Sequence, residues 1–168
     1  MNQKKFIELE DLSKKNITKK TNYHASIRII FVFSLIVLNG YLIHSSVSSE
    51  LFLMLIQGFL LISLFAPLHE CSHQTAFKIK GLNTMIMTLC GFIHFMPSKW
   101  FRAFHMSHHK NTQIKDKDPE LIQERPYNIP SYLIHISGIQ LWYDLLLNLV
   151  LLSFNRIEYD YISNRNKK

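Results

Sequence analysis

Two apolar runs follow one another closely in this chain, residues 29–43 (IIFVFSLIVLNGYLI) and 51–68 (LFLMLIQGFLLISLFAPL), and neither contains a Lys, Arg, Asp or Glu. A helix on the surface of a soluble domain keeps a polar face, and these runs have none to offer. At ~1.5 Å per residue they reach roughly 22–27 Å, just under a ~30 Å hydrocarbon core, and both can lengthen into their flanks. The expectation is a transmembrane helical hairpin.

Charge places the ends of that hairpin. Charged residues are only 18% of the chain, against a typical ~25%. They collect outside the runs: residues 1–28 hold seven Lys/Arg and three acids, and a second basic region lies between Lys78 and Arg125. The connector, residues 44–50, has no Lys or Arg. Basic segments stay on the cytoplasmic side, so the N-terminus and everything after His69, including the C-terminus, are expected in the cytoplasm. The net charge of +7 therefore reads as membrane topogenesis, and no nucleic-acid partner is expected. Soluble disulfide scaffolds, collagen-like chains and wholly disordered chains are excluded by the same pattern. The first run does not read as a cleavable signal, because 28 residues precede it and no small-residue cleavage site follows.

Two weaker apolar stretches remain. Residues 82–96 are short for a span and favour a re-entrant or interfacial segment. Residues 129–154 are long enough to cross, but Ser137, Gln140, Asp144 and Asn148 recur at steps of three, four and four. That spacing draws one polar stripe along a helix, and with the basic tail beyond it the helix is expected on the cytoplasmic membrane face. The fold class is thus an all-α integral membrane protein, a transmembrane hairpin with cytoplasmic or interfacial helices that carry histidines.

The chain has nine histidines, and five fall in two clusters. His69-Glu70-Cys71-Ser72-His73 closes the second run. Residues four apart share a helix face, so His69 and His73 can address one ion. His105-Met106-Ser107-His108-His109 lies on a helix expected over residues 100–110. A shuffled chain of this composition would show a lone H-x-x-x-H about once in two sequences, but H-x-x-H-H only about once in forty. Both clusters at boundaries of membrane segments point to metal, since neutral imidazole is the commonest metal ligand. The first cluster also satisfies H-E-x-x-H, with Glu70 as the general base of a zinc protease. That reading lacks an obvious acidic third ligand and leaves the second cluster unexplained.

The segments PLHECSHQTAFK (67–78) and WFRAFHMSHHKNTQIKDKDPEL (100–121) resemble the membrane fatty acid desaturase superfamily, whose relatives include hydroxylases and carotenoid ketolases. The resemblance covers about residues 29–161, between a basic tail over 1–28 and another over 162–168. It implies a non-haem di-iron oxidase acting on a lipid acyl or isoprenoid chain, with electrons from a separate redox donor protein. His69 and His73 would fill the first histidine box, and His105, His108 and His109 the second. Asp118 and Glu120 are candidates for orienting the imidazoles, or form a solvated turn around Pro119. Removing hydrogen from an unactivated methylene needs an oxidant that side chains cannot supply.

The family pattern has a third box after further spans. Here the only histidine after His109 is His135. Residues 29–161 therefore read as a truncated desaturase-like domain: a shortened gene, one part of a split enzyme whose second polypeptide carries the missing box, or a decayed relative. At most one metal ion per chain is expected, and no activity from the chain alone; a non-catalytic metal-binding fragment is the alternative. Cys71 and Cys90 are expected to pack without a disulfide. His24 and His44 are expected in solvent, and His94 and His135 away from the metal.

Overall fold

The computed structural model describes residues 20–45, 49–121, 126–156 and 159. Most of both basic tails, and residues 46–48 of the connector, lie outside them. The described residues are helical, without strands. Helix α1 spans Tyr23–His44, α2 Glu50–Ser63 and α3 Phe65–Ser72. Helices α2 and α3 form one continuous span of 23 residues, Glu50–Ser72, and α1 has 22. At ~1.5 Å per residue both exceed a ~30 Å hydrocarbon core. The runs do lengthen into their flanks, and the chain is an integral membrane protein. Phe31, Val37, Leu38, Phe52, Phe59 and Ile62 stand exposed around the hairpin, as side chains facing lipid should.

One polar contact joins the two spans. Asn39, only 6% exposed, donates through Nδ2 to Leu53 O at 3.0 Å and to Gln57 Oε1 at 2.8 Å. Gln57 Nε2 returns a longer bond to Ile36 O at 3.4 Å. At the opposite end of the hairpin Lys20 Nζ donates to Gln74 O at 2.9 Å, and Ile79 N to Asn22 Oδ1 at 3.1 Å.

The break between α2 and α3 has a local cause. Pro67 has no N–H, so Ser63 O loses its helical partner and the chain relaxes at Leu64. Leu64 and Leu68 are fully buried there. With Cys71, Phe77, Ile86, Met87, Cys90 and Phe101 they make the core. Helix α4, Lys80–Ile93, packs on α3. Its 14 residues rise only ~21 Å, too short to cross. One face buries Asn83, Ile86, Met87 and Cys90, and the other shows Met85, Leu89 and Phe92. Asn83 is fully buried and holds the loop before α4: it accepts from Phe77 N at 3.1 Å and donates to Phe77 O at 2.9 Å. Cys71 and Cys90 are both free and buried.

A tight turn then aims the chain back. Met96 N donates to Gly91 O at 2.8 Å, and Met96 O lies against Gly91 Cα, where a side chain would otherwise stand. Helix α5, Ser98–Asn111, follows and packs on both α3 and α4. A 3-10 turn at Pro119–Leu121 folds back onto it.

The final apolar stretch departs from the single striped helix expected over residues 129–154. It forms α6, Ile129–Ile136, and α7, Ile139–Ser153, bent by 54°. Gly138 takes φ +71 at the break, a conformation that side-chain-bearing residues rarely adopt. Ser137 closes α6 instead of sharing the α7 face. The rest of the stripe is internally bonded: Gln140 Nε2 donates to Asp144 Oδ1 at 3.1 Å, and Tyr159 Oη to Asn148 Oδ1 at 2.6 Å.

Candidate metal centre

Helices α3 and α5 cross so that their histidines meet. His69, His73, His105 and His109 each present one ring nitrogen, and these four atoms lie within 4.8 Å of one another. His105 is the hub. Its Nε2 stands 2.9 Å from His73 Nε2 and 3.0 Å from His109 Nε2. It is only 6% exposed, and its ring stacks on Phe101 with planes 4° apart. The His69 ring completes the group, 4.3 Å from His105 between centroids.

The donor set fits a cation better than it fits itself. A neutral imidazole nitrogen either donates or accepts, so His105 Nε2 can make at most one linear hydrogen bond to the two nitrogens facing it. Ligand bonds of ~2.0–2.1 Å set at right angles bring two nitrogens to ~2.9 Å, which is the spacing around His105. The 4.8 Å limit slightly exceeds the ~4 Å that opposed ligands span on one ion, a gap that a small ring rotation closes. Protonation would oppose such a site, and the environment disfavours it. Burial, then His109 and His69, depress His73, while burial and the surrounding histidines push His105 down to about 4. Both rings are therefore neutral at pH 7 and keep a lone pair available.

His108 is placed differently from the other four. Its Nδ1 faces Asp118 Oδ1 at 2.8 Å and Glu120 Oε2 at 3.4 Å. Asp118 is fully buried and also accepts from Gln113 N at 2.9 Å and Glu120 N at 3.0 Å. Burial alone would raise its carboxyl, but the His108 ring and the two backbone N–H groups hold it below the usual range. A carboxylate at Nδ1 fixes the tautomer and leaves Nε2 as the free lone pair of His108. Of the two acids singled out in the sequence, Asp118 makes the closer contact, and Glu120 is exposed.

Glu70 does not join the cluster. Its Oε1 lies 3.3 Å from His69 Nδ1 and its Oε2 accepts from Thr75 Oγ1 at 3.2 Å. The two further ligand candidates brought to His69 and His73 are histidines of α5, not the acid that the zinc-protease motif calls for. His94 also stands apart, its Nδ1 donating to Cys90 O at 2.9 Å. His24, His44 and His135 are exposed. The spacing of the boxes did not flag Arg102, whose Nη1 donates to Ser72 O and so ties α5 to the end of α3. Its only signal was its place one turn before His105, which a basic membrane flank makes unremarkable.

A transmembrane hairpin with four histidines gathered at one end, where they could hold a metal ion, defines a membrane protein with a candidate metal centre. The chain belongs to the fatty acid desaturase family, whose pattern it matches over residues 48–167. It is 35% identical over 106 residues to an sn-1 acyl-lipid omega-3 desaturase (ferredoxin) of Nostoc sp., a match covering 61% of this chain and 28% of that protein. A Synechocystis sp. protein of the same description is 38% identical over 76 residues, 44% of this chain and 21% of its own length. The match thus spans less than a third of either curated relative. No solved structure matches.

Proposed function

We propose that this chain carries the first two histidine boxes of a membrane di-iron oxidase that acts on a lipid acyl chain. The observation that carries this reading is the meeting of His69, His73, His105 and His109 at one end of the hairpin. Those four would hold metal, with His108 adding its Nε2 and Asp118 fixing that ring. Bound iron would supply the oxygen-derived oxidant that side chains lack. The chain's own part is to keep neutral ligands in place, through the Phe101 stack, the Arg102 tie and the Asp118 carboxylate. The curated relatives are acyl-lipid desaturases described with ferredoxin, which supports a lipid substrate and a small redox protein as electron donor.

Five box histidines are too few for two irons with full shells, so the remaining ligands would come from residues outside these 168. On this reading the chain alone binds at most one metal ion and oxidises no lipid. Co-expression with a polypeptide carrying the downstream spans and third box should yield acyl chains with an added double bond, seen by gas chromatography of total lipids. Product from this chain alone would contradict the assignment of a partial site.

The same reading sets the topology: both boxes and both termini cytoplasmic, with only the connector over residues 44–50 outside. Buried Cys71 and Cys90 make a quiet background for thiol labelling. A membrane-impermeant maleimide should therefore mark Lys110→Cys only after the membrane is opened. Labelling of intact cells at that position would refute the orientation.

A further inference from the structure

A cleft of about 980 Å³ lies where the N-terminal end of α1 meets α3, and none of the five box histidines lines it. The exposed Lys20, His24 and Arg28 line it, together with half-buried Ile29 and Val32, exposed Ala66 and buried Phe77. The small side chains of Ala25 and Ala66 are both among its lining residues. One acid, Glu70, also lines the cleft. Its carboxylate is turned toward Thr75 and His69. Among the described residues no carboxylate forms an ion pair with Lys20, His24 or Arg28.

A solvated basic flank needs no cavity, and an apolar groove facing lipid needs no cations. The two together match one kind of molecule, with a negative headgroup and a hydrocarbon tail. Arg28 stands at the first turns of a membrane-spanning helix, the depth at which phospholipid phosphates lie. We propose that this cleft binds one anionic phospholipid, its headgroup held by Arg28, His24 and Lys20 and one acyl chain laid along Ile29, Val32 and Ala66. The site uses no metal and is separate from the oxidation site, so it stands or falls independently of the function proposed above.

The test uses the full chain, delipidated in a zwitterionic detergent and titrated with phosphatidylglycerol while bound lipid is counted by native mass spectrometry. One phosphatidylglycerol per chain should be retained, in preference to phosphatidylcholine. Arg28→Gln should weaken retention about fivefold, the scale of one basic contact with an anionic membrane surface, and Arg28→Lys should restore most of it. Ala66→Trp should abolish retention with every charge intact, because it fills the space meant for the tail. Neutralising Lys4, Lys5, Lys14 and Lys15 together should change little, which separates the cleft from unspecific attraction by the basic tail. Equal retention of phosphatidylcholine, competition by inorganic phosphate alone, or indifference to both Arg28→Gln and Ala66→Trp would overturn the proposal. So would binding that emerges only once residues 1–19 are deleted, since that segment would then be the occupant.

Discussion

His105→Ala is expected to strip the purified chain of metal. His105 Nε2 is the atom that both His73 and His109 face, at 2.9 and 3.0 Å, so its loss removes a ligand and the centre around which two others are arranged. Replacing a residue that only orients a ligand typically costs 10–100-fold in metal affinity, and loss of the central ligand should exceed about 100-fold. Asp118→Asn should fall within the smaller range, because it disturbs only the tautomer and orientation of His108. His135→Ala, on an exposed residue at the end of α6, should change nothing. Titration with cobalt(II), followed by its visible bands, gives the affinities directly. A His105→Ala chain that bound cobalt as tightly as the parent would remove the cluster from consideration as the metal site.

Gly91→Ala should damage the same site from a distance. The added Cβ would press against the backbone oxygen of Met96, and a backbone atom cannot rotate aside as a side chain can. Overpacking of this kind costs about 1–3 kcal/mol, and more when backbone must move. The strain falls on the turn leading into α5, the helix that carries three of the five box histidines. The expected result is a lower thermal midpoint in detergent together with weaker cobalt binding. A midpoint that falls while cobalt affinity holds would show that α5 is positioned by its contacts with α3 alone, chiefly Arg102 on Ser72 O.

The parts of this molecule legible in its sequence are those set by repetition. Uninterrupted apolar runs gave both spans, because a bilayer demands length and hydrophobicity and little else. Histidine spacing gave both boxes, since positions i, i+3 and i+4 share a helix face whatever surrounds them. What escaped notice depends on pairs distant in sequence. Asn39 and Gln57 look like unrelated polar interruptions until the hairpin closes. Asn83 reads as an ordinary polar helix residue, although it is fully buried and holds the backbone of Phe77. The spacing also treated His105, His108 and His109 alike. Only the fold-back that brings Asp118 beside His108 Nδ1 sets that ring apart. The bend at Gly138 was missed because the polar period continues across it, and periodicity does not register a single residue at positive φ.

The amide of Asn39 bears on how the protein enters the membrane in the first place. Alone in lipid, the first span would carry a carboxamide with no water and no partner, an expensive state for a helix. Its two acceptors, Leu53 O and Gln57 Oε1, both belong to the second span. The first helix is therefore a poor resident of the bilayer until the fourteen to eighteen residues after Asn39 have emerged. Insertion as a closed pair satisfies the amide on arrival, whereas stepwise insertion leaves it stranded. Once made, the contact also fixes the rotation of each helix about its axis, so the histidine end is set in register by a bond near the other side of the membrane.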